Sequence, residues 1–142
     1  MKVLLAVDGS KPSLDAVDFL VEHADWYKSP LEVELVTVHL PVPQVRGLST
    51  FVGKAGVQRY YQEEGEERLA AAKKKLDAAG MRYKASVLVG QVAETLVKHA
   101  RDKRCDLICI GPRGMTSAAA AIVGSTATKV LHLSTIPVLL QK

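Results

Sequence analysis

The sequence predicts an α/β protein of three layers, in which a five-stranded parallel sheet carries helices on both faces. Short, nearly continuous apolar runs alternate along the chain with stretches whose apolar residues recur at helical spacing. The runs are apolar throughout, which is typical of strands buried on both faces of a parallel sheet. The chain has 142 residues, 48% of them hydrophobic and 24% charged, and this predicts one globular domain over residues 1–142.

Five strands and four helices follow from this alternation. The predicted strands cover residues 3–7, 31–40, 83–89, 106–110 and 136–140. The predicted helices cover residues from about 14 to 21, from about 57 to 80, from 92 to 100, and about 15 residues within the segment that follows the fourth strand. Strands that alternate with helices in this way imply parallel pairing through right-handed crossovers.

Local signals mark where several of these elements begin and end. Ser10 or Ser13 is placed to cap the first helix, whose first turn suits Pro12. Gly80 is a natural stop for the second helix. Residues 41–56 contain two prolines and three glycines and predict an irregular segment, either a lid or a loop.

Charge and hydropathy limit the classes of function. The net charge of +4 suits a phosphate-bearing ligand, but the basic residues form no cluster typical of a nucleic-acid binder. The run of lysines at 73–75 follows a run of glutamates, an order that favours a solvated helix face. The N-terminal apolar run ends at Asp8, too early for a signal peptide, and no run is long enough for a membrane helix. We therefore expect a cytoplasmic protein with neither a membrane nor a nucleic acid as partner.

The two cysteines, Cys105 and Cys109, fall in one apolar run. On a continuous strand, residues four apart point to the same face and lie about 13 Å apart, too far for a disulfide. We predict buried, reduced thiols on one face of the sheet.

Glycines follow the fourth predicted strand in the pattern G-x2-G-x9-G-S, formed by Gly111, Gly114, Gly124 and Ser125. Ligands of open parallel sheets bind outside the carboxyl ends of the strands, where this motif falls. A polyphosphate needs backbone N–H donors at close range with no Cβ in the way. The motif therefore predicts a phosphate-binding loop, to which Arg113 would add a charge-assisted contact.

The helix after this loop is predicted to begin at Gly124, because a glycine inside a helix costs about 1 kcal/mol relative to alanine. Its first N–H groups would then be unpaired, and Ser125 would either cap the helix or donate to a phosphate oxygen. The alternative is that the glycines serve turns and packing and that the alanines at 118–121 are simply helical.

Two further polar residues follow strands. Asp8 either contacts the sugar or base of a nucleotide or forms an Asx-turn with Gly9 and Ser10, and the two roles can coexist. His39 is interpreted as a hydrogen-bonded strand end. The other histidines, His23, His99 and His132, fall on predicted helices and are interpreted as structural. No catalytic triad or carboxylate pair is visible, so no catalytic residue is predicted.

Together these segments resemble the universal stress protein family, specifically its ATP-binding branch. The resemblance covers essentially the whole chain and rests on the opening run through Ser10, Val89–Gly90, residues 105–111, the glycine motif and the closing run at 137–140. It implies ATP with Mg²⁺ on its phosphates, a cation that protein side chains alone do not hold. It also implies a homodimer that pairs residues 136–141 across a two-fold axis, and covering an apolar edge strand agrees with that.

Carried onto this sequence, the resemblance implies that Asp8 and the main chain at Val38 hold the adenosine and that Gly111 lies near the ribose. The phosphates would contact Gly114, Gly124 and Ser125. The full set of predicted ATP-binding residues is Ala6, Val7, Asp8, Val38, Gly111, Arg113, Gly114, Gly124, Ser125 and Thr126.

Two departures from the family pattern bear on this site. Pro112 removes one N–H donor, and the nine-residue gap is rich in alanine, which shifts phosphate contacts toward Arg113.

Three functions remain open from the sequence. The first is a nucleotide-dependent stress or signalling module whose state a downstream protein reads. The second is a weak ATPase or nucleotidyl-transfer enzyme. The third is a dimeric interaction protein that binds no nucleotide.

Overall fold

The computed structural model describes residues 1–42, 49–114 and 123–141, with backbone only at 49–52. The strands are β1 Lys2–Ala6, β2 Glu32–His39, β3 Arg82–Val89, β4 Leu107–Ile110 and β5 Val138–Leu140. The helices are α1 Lys11–Glu22, α2 Ser49–Ala78, α3 Val92–Asp102 and α4 Ser125–Leu133, with a short 3₁₀ helix at Ala24–Trp26. No described helix is both long enough and apolar enough to cross a membrane.

The five strands form one parallel sheet in the order β3-β2-β1-β4-β5. This confirms the predicted fold class. The order reverses between β1 and β4, so the carboxyl ends of these two strands, distant along the chain, stand side by side. Such a reversal is the place where open α/β sheets bind ligands.

Two hydrophobic clusters cover the two faces of the sheet. Alternate residues of β1 and β2, such as Val3, Leu5 and Leu35, pack toward α1 and α2. Their neighbours, such as Leu4 and Val36, pack toward α3 and α4. Both strands are therefore buried on both faces, which explains their continuous apolar character.

The ends of the helices follow the local chemistry. Ser10 is the N-cap of α1, where its hydroxyl accepts a hydrogen bond from the amide of Ser13 at 3.4 Å. Beyond α2, Gly80 adopts a φ of 64°, the left-handed conformation that ends a helix.

Two predicted boundaries were wrong. Helix α2 begins at Ser49 rather than near residue 57, with a break at Gly53, whose φ and ψ are 63° and 164°. The predicted irregular segment therefore includes helical residues, while residues 43–48 lie outside the described part of the chain. The last helix has 9 residues and not about 15.

The cysteines are free and buried, as predicted, but they do not share a face of the sheet. Cys105 belongs to the cluster under α3 and α4, and Cys109 to the cluster under α1 and α2. The prediction failed because Cys105 precedes the strand, which begins at Leu107, and the chain bends at Asp106, so the backbone between the two cysteines is not continuously extended.

Candidate functional site

A cavity of about 680 Å³ opens at the carboxyl ends of β1, β2 and β4, between α2 on one side and α3 and α4 on the other. This volume lies within the range of about 300–1,000 Å³ that is usual for small-molecule sites. All ten residues predicted above as ATP contacts line it. Their placement around one cavity is a finding, while their contact with a nucleotide stays a prediction.

The loop after β1 enters the cavity through Asp8. One oxygen of its carboxylate, Oδ1, accepts a hydrogen bond from the amide of Ser10 at 3.0 Å, which is the predicted Asx-turn. The other oxygen, Oδ2, lies beside Gly114, where a Cβ would approach it to 2.6 Å. The turn therefore leaves Asp8 on the cavity wall, next to the glycine motif.

The glycine motif is held at both ends. The amide of Gly124 donates to the carbonyl oxygen of Pro112 at 2.7 Å, so the residue before α4 is joined to the segment that follows β4. The predicted alternative of a helix at 118–121 concerns residues outside the described part of the chain. Gly111 is required by packing, since a Cβ there would lie 2.5 Å from the carbonyl oxygen of Pro12 in α1.

Helix α4 points its N-terminus at the cavity. Gly124 is its N-cap, with extended φ and ψ of −76° and 162°, and among the described residues no side chain caps the helix. Ser125 is the first helical residue and is exposed, so the predicted capping role for its hydroxyl was wrong. An uncapped helix N-terminus carries unpaired N–H groups and partial positive charge, which favour an anion.

The basic residues at the cavity come from three elements. Arg113 lies in the loop, and its buried Nε has no hydrogen-bond partner among the described residues. Lys129 of α4 lies 3.9 Å from Glu94 of α3, and both side chains are at least half exposed. Arg68 comes from α2 on the opposite wall. The cavity thus combines an anion-binding helix terminus with cations on two sides.

The wall formed by α2 is polar, and its charged side chains contact one another and the end of β2. The guanidinium Nη2 of Arg68 donates to Oε1 of Glu64 at 2.9 Å, one helical turn away. The other carboxylate oxygen of Glu64 lies 3.7 Å from Nδ1 of His39 at the end of β2. Hydrogen bonding from Tyr60, and then from Arg68, keeps the pKa of Glu64 below its ordinary value, although partial burial opposes the shift.

His39 is buried, with 3% of its surface exposed, and its ring packs against Tyr61 at a centroid distance of 5.6 Å. Burial, and secondarily the charge of Arg68, lower the pKa of His39, while the carboxylate of Glu64 acts in the opposite direction. The imidazole is therefore held neutral near pH 7. His39 does end β2, but the predicted hydrogen bond is not seen: among the described residues its buried Nε2 has no partner, and Glu64 lies beyond hydrogen-bond distance of Nδ1.

The apolar part of the lining comes from the strand ends and α3. Ala6 and Val38 belong to the cluster that packs against Ala93 and Leu96 of α3, and all four line the cavity. An apolar slot, formed by these four residues, beside a polar, anion-binding loop suits a ligand with an apolar part at one end and negative charge at the other.

Comparison with known proteins agrees with this architecture. The model of the universal stress protein family matches residues 1–142, the whole chain. This chain belongs to the universal stress protein family. It is 31% identical to the universal stress protein YxiE of Bacillus subtilis, over 98% of this chain and 97% of that protein. It is 29% identical to the universal stress protein MJ0531 of Methanocaldococcus jannaschii, over 99% of this chain and 81% of that protein.

Solved structures of this family share the fold. The structure of MJ0577 superposes with a TM-score of 0.81 at 26% identity, covering 99% of this chain and 94% of that chain. A universal stress protein in complex with cAMP superposes with a TM-score of 0.62 at 26% identity and the same coverage. A family member from Arabidopsis thaliana with AMP bound has a TM-score of 0.70 at 16% identity, covering 100% of this chain and 91% of that chain, and shows likeness of fold.

Sequence reasoning missed the α2 wall of this universal stress protein. Tyr60, Tyr61, Glu64 and Arg68 all line the cavity, but in the sequence they lie within a charged helix that reads as a solvated face. The spacing of Glu64 and Arg68 is that of an ordinary ion pair on a helix surface. Further along α2 the interpretation of the lysine run as a solvated face holds only in part, because Lys74 is exposed but Lys75 pairs with Asp18 of α1 at 2.6 Å.

Proposed function

We propose that this universal stress protein acts, as a single domain, as an adenine-nucleotide-binding module, and that its ligand is ATP with Mg²⁺ on the phosphates. The observation that carries the proposal is the meeting, in one cavity, of an apolar slot, a glycine loop and the uncapped N-terminus of α4. The relative of 26% identity in complex with cAMP supports an adenine nucleotide as the ligand class.

The residues suit such a ligand. Gly114 has no side chain to collide with the carboxylate of Asp8, and backbone N–H groups at Ser125 and Thr126 begin α4. In the proposed arrangement the adenosine lies by Asp8 and the main chain of Val38, with the ribose by Gly111. The phosphates would accept hydrogen bonds from N–H groups of the loop and of α4, and the Mg²⁺ would neutralise part of the negative charge of the phosphates.

The test is to extract purified protein with acid and identify any released nucleotide by chromatography, followed by calorimetric titration of the stripped protein with Mg²⁺-ATP. Gly114→Arg should abolish binding, because a side chain at residue 114 collides with the carboxylate of Asp8 and extends into the cavity that both residues line. Ala71→Arg is a matched control, since it adds the same side chain at an exposed position of α2 that does not line the cavity.

The outcomes separate the three functions. ATP bound at about one per chain in the parent and in Ala71→Arg, with none in a folded Gly114→Arg, is the expected result. Recovery of ADP with steady phosphate release that Gly114→Arg abolishes would favour a slow ATPase. Failure of the parent to bind any adenine nucleotide would overturn the proposal and leave an interaction protein.

We propose further that the protein is a cytoplasmic homodimer paired through residues 136–141, whose nucleotide state a partner protein reads as a stress signal. Strand β5 lies at one edge of the sheet, where its outer hydrogen-bonding groups are available to a second strand. Light scattering during gel filtration should give twice the chain mass of 15.3 kDa. Leu140→Pro would remove an N–H of the open edge, because Pro137 and Gln141 bond to β4 and the alternate residues 138 and 140 face outward, and it should give the monomer mass.

A further inference from the structure

We infer that Arg68 of α2 contacts the phosphates of the bound nucleotide from the wall opposite the glycine loop, and that Glu64 competes with the phosphates for it. This inference rests on the proposed function and adds to it a second, α2-borne phosphate contact. It starts from the position of Arg68, which is set by packing on three sides.

Helix α2 lies close to the sheet because of Gly65. A Cβ on this residue would lie 2.5 Å from both Cγ atoms of Val87 in β3, so a side chain there would push the helix outward. The ion pair between Lys75 and Asp18 joins the same helix to α1. Together these contacts bring the face of α2 that carries Glu64 and Arg68 over the ends of β1 and β2.

The loop after β1 runs directly under Arg68. Gly9, with a φ of 83°, approaches so closely that a Cβ on it would lie 3.4 Å from the Cα of Arg68. Gly9 follows Asp8, which in turn borders Gly114. Arg68 and the glycine loop are therefore separated only by the Asp8–Gly9 turn, and both face the same cavity.

The side chain of Arg68 is directed along α2 toward Glu64, with which it forms the 2.9 Å hydrogen bond. Helical side chains lean toward the N-terminus, which here is the end of α2 at the cavity. The two side chains are 23% and 31% exposed, so the pair is neither free in solvent nor sealed in the core. A guanidinium in this setting can exchange a carboxylate for a phosphate, since both accept its paired N–H groups.

The charges of the cavity favour this exchange. Three carboxylates line it, on Asp8, Glu64 and Glu94, and they repel a polyphosphate. Arg113 and Lys129 offset them on the loop and α4 side, while Arg68 is the cation of the α2 wall among the described lining residues. Removing Arg68 would leave Glu64 facing the phosphates without compensation.

The experiment measures the dissociation constants of ATP, AMP and adenosine for the full chain by calorimetry. Arg68→Ala should raise the dissociation constant of ATP by about tenfold or more, since a charge-assisted hydrogen bond is worth about a factor of ten in affinity. The dissociation constant of AMP should rise less, and that of adenosine by less than about twofold. Arg59→Ala is the matched control, because Arg59 is an exposed arginine of the same helix that does not line the cavity.

Glu64→Gln supplies a readout that a merely structural role would not produce. The substitution removes the carboxylate that competes for Arg68 and repels the phosphates, while it keeps the size of the side chain. ATP should therefore bind several-fold more tightly, and the affinity for adenosine should not change. Arg68→Lys keeps the charge but loses the planar guanidinium group, so its affinity for ATP should lie between those of the parent and Arg68→Ala.

The outcomes are distinct from those of the proposed function. Provided that the parent binds ATP, the inference would be overturned if Arg68→Ala lost affinity for ATP and adenosine equally, or lost affinity for neither. Weaker ATP binding in Glu64→Gln would also overturn it. Failure of the parent to bind adenine nucleotides at all would instead overturn the proposed function on which the inference rests.

Discussion

The carboxylate of Asp8 occupies the space that a side chain on Gly114 would need, because a Cβ on Gly114 would lie 2.6 Å from Oδ2 of Asp8. The first strand and the glycine loop after the fourth strand thus meet at a point where one residue must lack a side chain. The glycine requirement at this position comes from a neighbour more than a hundred residues away in the chain.

We predict that Gly114→Ala weakens nucleotide binding by about tenfold, because the new methyl group displaces the Asp8 carboxylate from the cavity wall. Titration with Mg²⁺-ATP measures the change. Asp8→Ala relieves the clash, so the double variant should bind no more weakly than Asp8→Ala alone, a non-additivity expected of residues in contact. Additive losses would show that Gly114 acts independently of Asp8.

Gly111 has a different role, which affects stability. Gly111→Ala would bring a methyl group to 2.5 Å from the carbonyl oxygen of Pro12, and the backbone of α1 cannot move aside as a side chain can. We expect a loss of about 1–3 kcal/mol in the free energy of unfolding, the usual cost of overpacking. Urea denaturation measures it, with Thr128→Ala at an exposed position of α4 as control. A midpoint equal to that of the parent would contradict this role.

His39 should make stability depend on pH. Its pKa in the folded chain lies below the ordinary value of 6.5, chiefly because of burial, so the unfolded chain binds a proton more readily. The stabilisation from neutral His39 is therefore present above pH 6.5 and is lost as the pH falls below it toward the folded pKa. Arg68 strengthens this dependence and Glu64 weakens it.

Urea midpoints at pH 7.5 and 5.5 test the histidine. The parent should lose more stability between these values than His39→Gln, whose side chain does not titrate, while all other groups are common to both proteins. Equal losses in the two proteins would assign the pH dependence to other groups.

The cysteines should be unreactive in the folded protein. Burial raises the pKa of Cys105 to about 11 and that of Cys109 to about 12, so at pH 8 both remain thiols, which are poor nucleophiles. A thiol reagent should label neither residue in buffer and both in urea. Rapid labelling of one cysteine in the native protein would reveal an opening of the core at that position.

Predictions from sequence were accurate where local pattern decides and failed where distant contacts do. An Asx-turn, as one role of Asp8, and a cap at Ser10 or Ser13 were inferred from neighbours within three residues, and the structure shows the turn and the cap at Ser10. The prediction that Cys105 and Cys109 share a face was wrong, because the chain bends at Asp106, before the strand begins, and interrupts the periodicity on which the inference relied. A single departure of the backbone is invisible in apolar patterning.

The residues of the candidate site also fall into those that local sequence pattern could predict and those that it could not. Its loop and strand-end residues were predictable because the carboxyl ends of parallel strands are where such sheets bind ligands. Glu64 and Arg68 were not, because an acid and a base four residues apart on a helix form the same pair whether the face meets water or a cavity. What distinguishes the two settings is Gly65, whose contact with Val87 draws that face over the sheet.

By itself the sequence determined the alternation of strands and helices, the three-layer class and the strand ends at which a ligand would bind, because burial on two faces leaves a period that is readable locally. The tertiary structure alone decided that β1 and β4 are neighbours and that α2 forms a wall of the cavity. It also decided that Gly111 serves packing and that Gly114 makes room for Asp8. These depend on which distant surfaces fit together, and many partners share the apolar character that the sequence displays.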